Sequence, residues 1–207
     1  MQVYSQGLSF EYSIGYGTYQ LDDVKSLQHS MLNNYGLKET DCFPNYFTHS
    51  ILLGLVTGNS HFGSNFSYLT TGGRLQRADY SGSYTVDMIV NGYKLGAFYR
   101  YYLKTEISPL FFYLHFSSGV LFSNLKMKEQ INIYSESVTE SYKLKGVGIY
   151  IEPNIGLKYL LTNKICLLVG AGSEADFFGT MKLSEKKTNI KSHWNGFRFY
   201  SGIIFIL

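Results

Sequence analysis

The 207-residue chain is poor in several things at once: it has 2 cysteines, 3 prolines, 1 tryptophan and only 16% charged residues. Two cysteines do not make the multi-bridge framework of a small secreted scaffold. Cys42 falls in a long connection and Cys166 at the start of a strand, which places them at opposite ends of the molecule and too far apart to bridge. Five scattered histidines with those two thiols give no metal-ligand spacing, so neither metal nor cofactor is expected. Charge well under the roughly 25% of soluble domains argues against an ordinary water-facing surface. A net charge of +3 is too small to argue for nucleic acid. No stretch approaches the ~18 consecutive apolar residues of a membrane helix. The opening Met1-Gln-Val-Tyr-Ser is too polar for a secretion signal, so an exported form would be the mature one.

What the chain does have is aromatic residues, 19 Tyr and 15 Phe, with 21 Gly and a mean hydropathy of −0.06. That mixture suits strands with one apolar and one polar face. Period-2 alternation is the dominant signal. Leu8, Phe10, Tyr12, Ile14 and Tyr16 alternate with Ser9, Glu11, Ser13, Gly15 and Gly17. The same dyad recurs in seven further segments, near 46–57, 61–71, 93–103, 112–122, 147–159, 165–177 and 196–207. Pro153 lacks a ladder donor and is expected to mark a bulge. Across all eight segments the face called outward carries no Asp, Glu, Lys or Arg, and His49 is its one titratable exception besides tyrosines.

The connections alternate between short (57–61, 104–109, 161–164) and long (18–45, 72–83, 124–143, 180–193). In the first long one, residues 22–32 predict a short helix, with Val24, Leu27 and Met31 on one stripe and acids in the first turn; it is expected to fold over the barrel mouth. Residues 72–83 read as a polar loop or the tip of a long hairpin, and 124–143 and 180–193 as polar loops. Short turns on one rim and long loops on the other are the habit of outer-membrane barrels. A soluble lipocalin-like barrel needs the charged face outside, the inverse of this pattern. The expected fold is a single all-β domain over 1–207: an eight-stranded antiparallel up-and-down transmembrane β-barrel in the cell outer membrane of a Gram-negative envelope.

The last strand supports the same reading. Tyr200, Gly202, Phe205 and Leu207 belong to an apolar segment that would be a liability as a free edge, and it makes sense as the stave that closes against Leu8–Tyr16. Gly202-Ile-Ile-Phe-Ile-Leu207, together with Gly7-Leu-Ser-Phe10, Gly15-Tyr-Gly-Thr-Tyr19 and the stretch Thr71-Gly-Gly-Arg74 to Asp79-Tyr-Ser-Gly82, resembles the small eight-stranded outer-membrane barrel proteins, particularly those of Bacteroidetes bacteria. The resemblance implies a terminal assembly signal read by the barrel-assembly machinery. An aromatic last residue is commoner there than Leu207, which leaves Phe205 as the aromatic anchor. It implies no agreed activity.

Candidate chemistry lies on the inward faces, which carry Glu11, Lys94, Arg100, His115, Glu152, Lys158, Glu174 and Arg198. Counted from the short-turn rim, Glu152, Glu174 and Arg198 fall at similar heights, and Glu11, Arg100 and His115 lower. Buried charges must pair, so an interior charge network is expected. With Phe98, Tyr102, Tyr113, Tyr150 and Tyr200 it would fill the lumen and leave no pore. His115 and Ser117 share a face two residues apart, a spacing similar to the His-x-Ser of outer-membrane lipid A deacylases. Lys182, Lys186, Lys187 and Lys191 form a basic segment, either a solvated loop or contacts to lipopolysaccharide phosphate. The expected protein is non-enzymatic and surrounded by outer-membrane lipid, with its exposed loops binding lipid, surface polymer or a protein partner. A lipid-modifying enzyme is the first alternative and a soluble lipocalin-like barrel the second.

Overall fold

The computed structural model describes residues 7–104, 109–134, 136–183 and 186–207. The opening residues 1–6 and the core of the expected turn at 104–109 lie outside the described residues. The elements in chain order are β1 (Gly7–Gly17), α1 (Asp22–Tyr35), β2 (Lys38–Cys42), β3 (Tyr46–Thr57), β4 (Ser60–Asp79), β5 (Gly82–Lys104), β6 (Leu110–Ile133), β7 (Glu136–Leu160), β8 (Ile165–Phe177), β9 (Thr180–Leu183), β10 (Lys186–Lys191) and β11 (Gly196–Ile206). Eight of the strands close a ring, β1-β3-β4-β5-β6-β7-β8-β11, every pairing antiparallel. Closure runs through the two ends of the described chain, with Tyr12 opposite Ile203 and Phe10 opposite Phe205. The expected eight-stranded barrel is the fold.

Four staves are far longer than the others. β1, β3, β8 and β11 span 11 to 13 residues, whereas β4, β5, β6 and β7 span 20 to 25. About ten residues of tilted strand cross the hydrocarbon, so the long four continue well beyond it, by roughly 3.3 Å per extra residue. The expected loop at 124–143 is therefore mostly strand, paired in one register from Leu110↔Tyr159 to Ile133↔Glu136. In 72–83 only the turn between Asp79 and Gly82 remains, as the hairpin alternative required. The expected loop at 180–193 contains the hairpin β9–β10, which adds to the free edge of β7. The first connection also holds more order than expected: α1 runs to Tyr35, and β2 pairs with β4.

The strands extend because their side chains reverse polarity partway up. Following the register outward-facing, the row Tyr68, Tyr93, Phe122, Val147 is apolar, and the next row is Thr70, Asn91, Asn124, Lys145. Above it come Gly72, Ile89, Lys126, Lys143, then Arg74, Asp87, Lys128, Ser141. The inner face changes the other way. Below the switch it holds Glu11, Lys94, Arg100 and Lys158; above it Leu75, Val86, Met88, Val90 and Leu125 are fully buried. Each half obeys its solvent, apolar outside in lipid and apolar inside in water. A one-residue parity is kept throughout, and the chemistry assigned to each parity flips.

That upper interior is a core in its own right. Trp194, Tyr19, Leu21, Val24, Phe43 and Met181 pack with the inner faces of β4–β7, and Leu27, Met31 and Leu32 of α1 lie against them. Trp194 is fully buried, donates from Nε1 to Ser123 Oγ at 2.9 Å and meets the Tyr19 ring edge-on at 5.0 Å. Gly92 leaves the space: a Cβ there would come within 3.1 Å of the indole. α1 starts without a side-chain cap, on Leu21 at φ 43°, and Asp22 and Asp23 in its first turn place negative charge at the positive end of the helix dipole. It ends on Gly36 at φ 60°, the left-handed position glycine favours. Gln28 donates to the Asp41 carbonyl at 2.6 Å and Asp23 accepts from the Lys191 N–H at 2.9 Å, tying the helix to β2 and β10. The helix folds over the mouth, as its apolar stripe predicts.

Pro153 does not shift the strand. Ile151↔Ala175 and Asn154↔Gly172 lie in one register on the β8 side, and Phe116↔Pro153 continues the ladder with β6. The proline interrupts pairing with β8 locally without inserting a residue, so the expected bulge is absent. Both cysteines are free, Cys42 exposed on β2 and Cys166 buried at the lower end of β8.

Candidate functional site

The lumen of the lower half holds two linked sets of charges. In the lower set, Arg100 grips Glu11 with both guanidinium nitrogens, at 2.7 and 3.0 Å, each side chain about 1% exposed. The Arg100 guanidinium stands 4.7 Å over the Tyr113 ring, and Tyr113 donates to the Tyr200 hydroxyl at 3.0 Å. His61 bonds Ser9 at 2.7 Å and Tyr102 at 3.2 Å, and Lys158 lies 4.2 Å over the Tyr102 ring. In the upper set Lys94 is the hub: its ammonium bonds Glu152 and, at 2.8 Å, Glu174. Arg198 bonds Glu174 at 3.0 Å and donates to the Thr18 and Trp194 carbonyls at 2.8 and 3.0 Å, which fastens the network to the cap above. Asp176 accepts from the Trp194 N–H and sits 3.1 Å from His193 Nδ1.

Glu152, Glu174 and Arg198 meet in one cluster, and Glu11, Arg100 and His115 lie together below it, Arg100 directly opposite His115 on the neighbouring strand. Lys94, on the inward list but not singled out, joins the upper cluster. His61, Ser9 and Asp176 were not picked out at all. Their parity places them inward, but His61 adjoins the β3–β4 turn and Asp176 the end of β8, where alternation is weakest. Phe98, Tyr102, Tyr113 and Tyr150 are buried between the charges. The lumen keeps a polar cavity of about 40 Å³ lined by Glu11, Lys94, Arg100, His115, Ser117 and Asn154. A water needs about 10–15 Å³, so this space suits a few waters and is no channel.

His115 and Ser117 do face the lumen together. The imidazole stacks on Phe98 with centroids 5.6 Å apart, and Ser117 is 1% exposed. His115 Nδ1 has no hydrogen-bond partner, and among the described residues no hydrogen bond joins the ring to the Ser117 hydroxyl. A nucleophile needs its base in reach and a path for substrate; this pair sits inside the packed lumen. Among the described residues no group of three His, Cys, Asp or Glu side chains is placed to hold a metal ion.

Of the four candidate lysines, Lys182 and Lys187 stand opposite each other on β9 and β10. Lys186 pairs with Leu183, on the other face of that hairpin, and Lys191 lies beyond a break in its register. Their further partners lie on β6 and β7, of which Lys126 and Lys143 fall in the expected loop 124–143: Lys145 on β7 stands opposite Lys182, and Lys143 opposite Lys126. The other face of the β6–β7 extension is acidic and aromatic. There Glu129 and Glu140 are direct neighbours, each accepting a tyrosine hydroxyl, from Tyr84 at 2.8 Å and from Tyr142 at 2.5 Å. Partial burial and the bond to Glu129 push the Tyr84 hydroxyl pKa above its ordinary value.

No protein-family model and no curated protein matches this sequence. Solved structures do resemble the fold. OprG, an outer-membrane protein of Pseudomonas aeruginosa, aligns over 100% of this chain and 99% of its own at TM-score 0.50 and 10% identity. Neisserial surface protein A aligns over 97% of each chain at TM-score 0.45 and 11% identity. Ail, the attachment invasion locus protein of Yersinia pestis, aligns over 98% of this chain and 99% of its own at TM-score 0.42 and 14% identity. The likeness to OprG concerns architecture alone, an outer-membrane barrel of comparable length.

Proposed function

We propose that this protein is an integral, non-enzymatic barrel of a Gram-negative outer membrane, whose rigid superstructure above the lipid presents surfaces for surface ligands or partners. One observation carries the reading: the polarity of β4–β7 inverts between the row ending at Val147 and the row ending at Lys145. A molecule wholly in water has no reason to place Leu53, Leu95, Phe112 and Ile155 outside, 51 to 63% exposed, and Arg100 inside at 1%. The long strands and α1 then lie on the extracellular side, and the short turns face the periplasm. Paired charges and tyrosines fill the lumen, which supports a structural interior over a transport path. The terminal strand with Tyr200, Gly202, Phe205 and Leu207 is the segment offered to the assembly machinery.

The test is folding in detergent or lipid. The expected sample migrates differently on a gel before and after boiling, and its circular dichroism is dominated by strand with a small helical part. A monomer that stays soluble and folded without detergent overturns the membrane reading. For chemistry, Ser117→Ala is expected to leave the mass profile of lipid A in producing cells unchanged relative to wild type. A wild-type-specific loss of an acyl chain that Ser117→Ala abolishes would reinstate the enzyme.

A further inference from the structure

One stretch of the outer rim is built unlike the rest. Lys187, Lys182 and Lys145 stand directly opposite one another across β10, β9 and β7. Lys143, two residues further along β7, stands opposite Lys126 of β6. Adjacent strands lie about 4.8 Å apart, so five ammonium groups share a patch a few strands wide. All five side chains are exposed, and among the described residues none of them is in an ion pair. Like charges directly opposite on neighbouring strands are destabilising. Among the described residues, the nearest acid on this face by register, Asp87, is engaged by Arg74 at 2.5 Å. Glu129 and Glu140 point to the other side of the sheet.

The level of the patch is what gives it a ligand. Lys145 is the first outward residue on β7 above Val147, which belongs to the lipid-facing wall. An open groove of about 690 Å³ runs between Lys143, Lys145, Lys182 and Lys187, with Val147 and Phe178 as its apolar floor. Phe178 is 78% exposed and held at φ 67°, a left-handed conformation that is unfavourable for a phenylalanine and turns the ring away from the protein. A cationic wall above an apolar floor, at the boundary where the outer face stops being greasy, matches a molecule whose anionic head and hydrocarbon tail meet at that boundary.

Taking the outer-membrane orientation as its premise, we propose that this groove binds the phosphorylated headgroup of an outer-leaflet lipid. The phosphate sits among Lys145, Lys182 and Lys187, and an acyl chain descends along Phe178 and Val147. Three lysines from three strands share a doubly charged phosphate as point charges. The bound anion also relieves the cross-strand repulsion, so the lipid stabilises the β9–β10 hairpin against β7.

Native mass spectrometry of the folded full chain in a non-ionic detergent reads this directly, with bisphosphorylated lipid A as the probe. Wild type is expected to carry one lipid A at low micromolar concentration. Lys145→Gln/Lys182→Gln is expected to bind it ~10- to 30-fold more weakly, at roughly fivefold per lysine. Lys38→Gln/Lys164→Gln removes the same charge at distant exposed sites and is expected to bind as wild type does. Dephosphorylated lipid A is expected to bind at least tenfold more weakly to wild type, and millimolar inorganic phosphate not to displace the lipid. Equal binding by the two double variants, or by the two forms of lipid A, overturns the proposal. Full displacement by inorganic phosphate overturns the lipid assignment in favour of a free-anion site. The unboiled gel mobility of each variant separates the outcomes: a folded barrel that ignores lipid A sinks the groove alone, whereas a chain with no detergent-folded form sinks the outer-membrane reading on which it rests.

Discussion

Lys94 is the residue on which the upper lumen depends. Its ammonium holds Glu152 and Glu174 together, and it lies 4.6 Å over the Tyr150 ring. Removing it leaves two carboxylates facing each other in a closed space with Arg198 alone to answer them. Breaking a buried ion pair by deleting one partner costs about 3–5 kcal/mol, because the other charge stays buried and unpaired. Lys94→Met is therefore expected to lower the urea midpoint of the lipid-folded barrel by an amount equivalent to that range. Lys94→Met/Glu174→Gln, which removes a charge of each sign, is expected to recover part of the loss. An unfolding midpoint for Lys94→Met indistinguishable from wild type would show that the charges are hydrated and the network unimportant. How much of this site the sequence reveals follows from parity. Alternation tells which face a side chain takes, so Glu11, Arg100, Glu152, Glu174 and Arg198 were legible as lumenal. It does not tell height or partner, since those depend on strand tilt and stagger, and so Lys94 was seen as one inward base among several. Trp194 carried no periodic signal, lying in the irregular link before β11.

At the scale of elements, the fold was legible wherever lipid sets the pattern and illegible where water replaces it. An apolar outward face marks a strand in the sequence only as far as Phe122 and again from Val147, which is why residues 124–143 read as a polar loop. The signal was present on the other parity: Leu121, Leu125, Met127 and Leu144 continue the alternation inward, as do Leu69, Leu75, Val86, Met88 and Val90 on the neighbouring hairpin. A two-solvent strand keeps its period and exchanges its faces. This predicts opposite tolerances on either side of the boundary. Phe116→Lys, midway along the outward face of β6 between Phe112 and Phe122, puts a charge on the lipid face and is expected to cost about 2–4 kcal/mol at mid-membrane depth, visible as a reduced folded fraction in vesicles. Further along the same parity the native residue is already Lys126, exposed, and Lys126→Ala is expected to change little, within about 0.5 kcal/mol. Leu125, fully buried in the cap, should behave as a core position: Leu125→Ala is expected to cost about 2–5 kcal/mol. That loss should appear as a red shift of the lone tryptophan and faster proteolysis of the hairpins, with membrane insertion intact. Equal effects of Leu125→Ala and Lys126→Ala would mean that no packed cap exists above the membrane.

For the whole molecule the decisive event is closure of β1 on β11, which turns a row of staves into a barrel without edges. The pairing runs from Ser9↔Ile206 to Gly17↔Arg198 and puts Phe10 beside Phe205, ring centroids 6.4 Å apart, on the lipid side. On the lumen side the two strands approach so closely at Gly202 that a Cβ there would lie 2.5 Å from the Tyr12 carbonyl oxygen and 2.7 Å from Ser13 Cβ. The contact at the carbonyl is with backbone, which cannot swing aside as a side chain can. Phe205→Asp attacks closure by a different route, placing a carboxylate against hydrocarbon on the outer face. The two positions therefore separate two causes. If Gly202 is needed for space, Gly202→Ala should impair assembly although alanine is small and apolar, and Gly202→Asp should do so more strongly. Phe205→Leu should be nearly neutral and Phe205→Asp severe, since only polarity changes sign there. Each variant is read by its heat-modifiable fraction after refolding into lipid vesicles, where no cellular machinery participates, and then by its abundance in outer-membrane fractions of producing cells. A variant that folds fully in vesicles yet fails in cells has lost recognition by the assembly machinery and not the geometry of the seam. Full folding of Gly202→Ala in vesicles would refute the close approach of β1 and β11, and with it the closure as drawn.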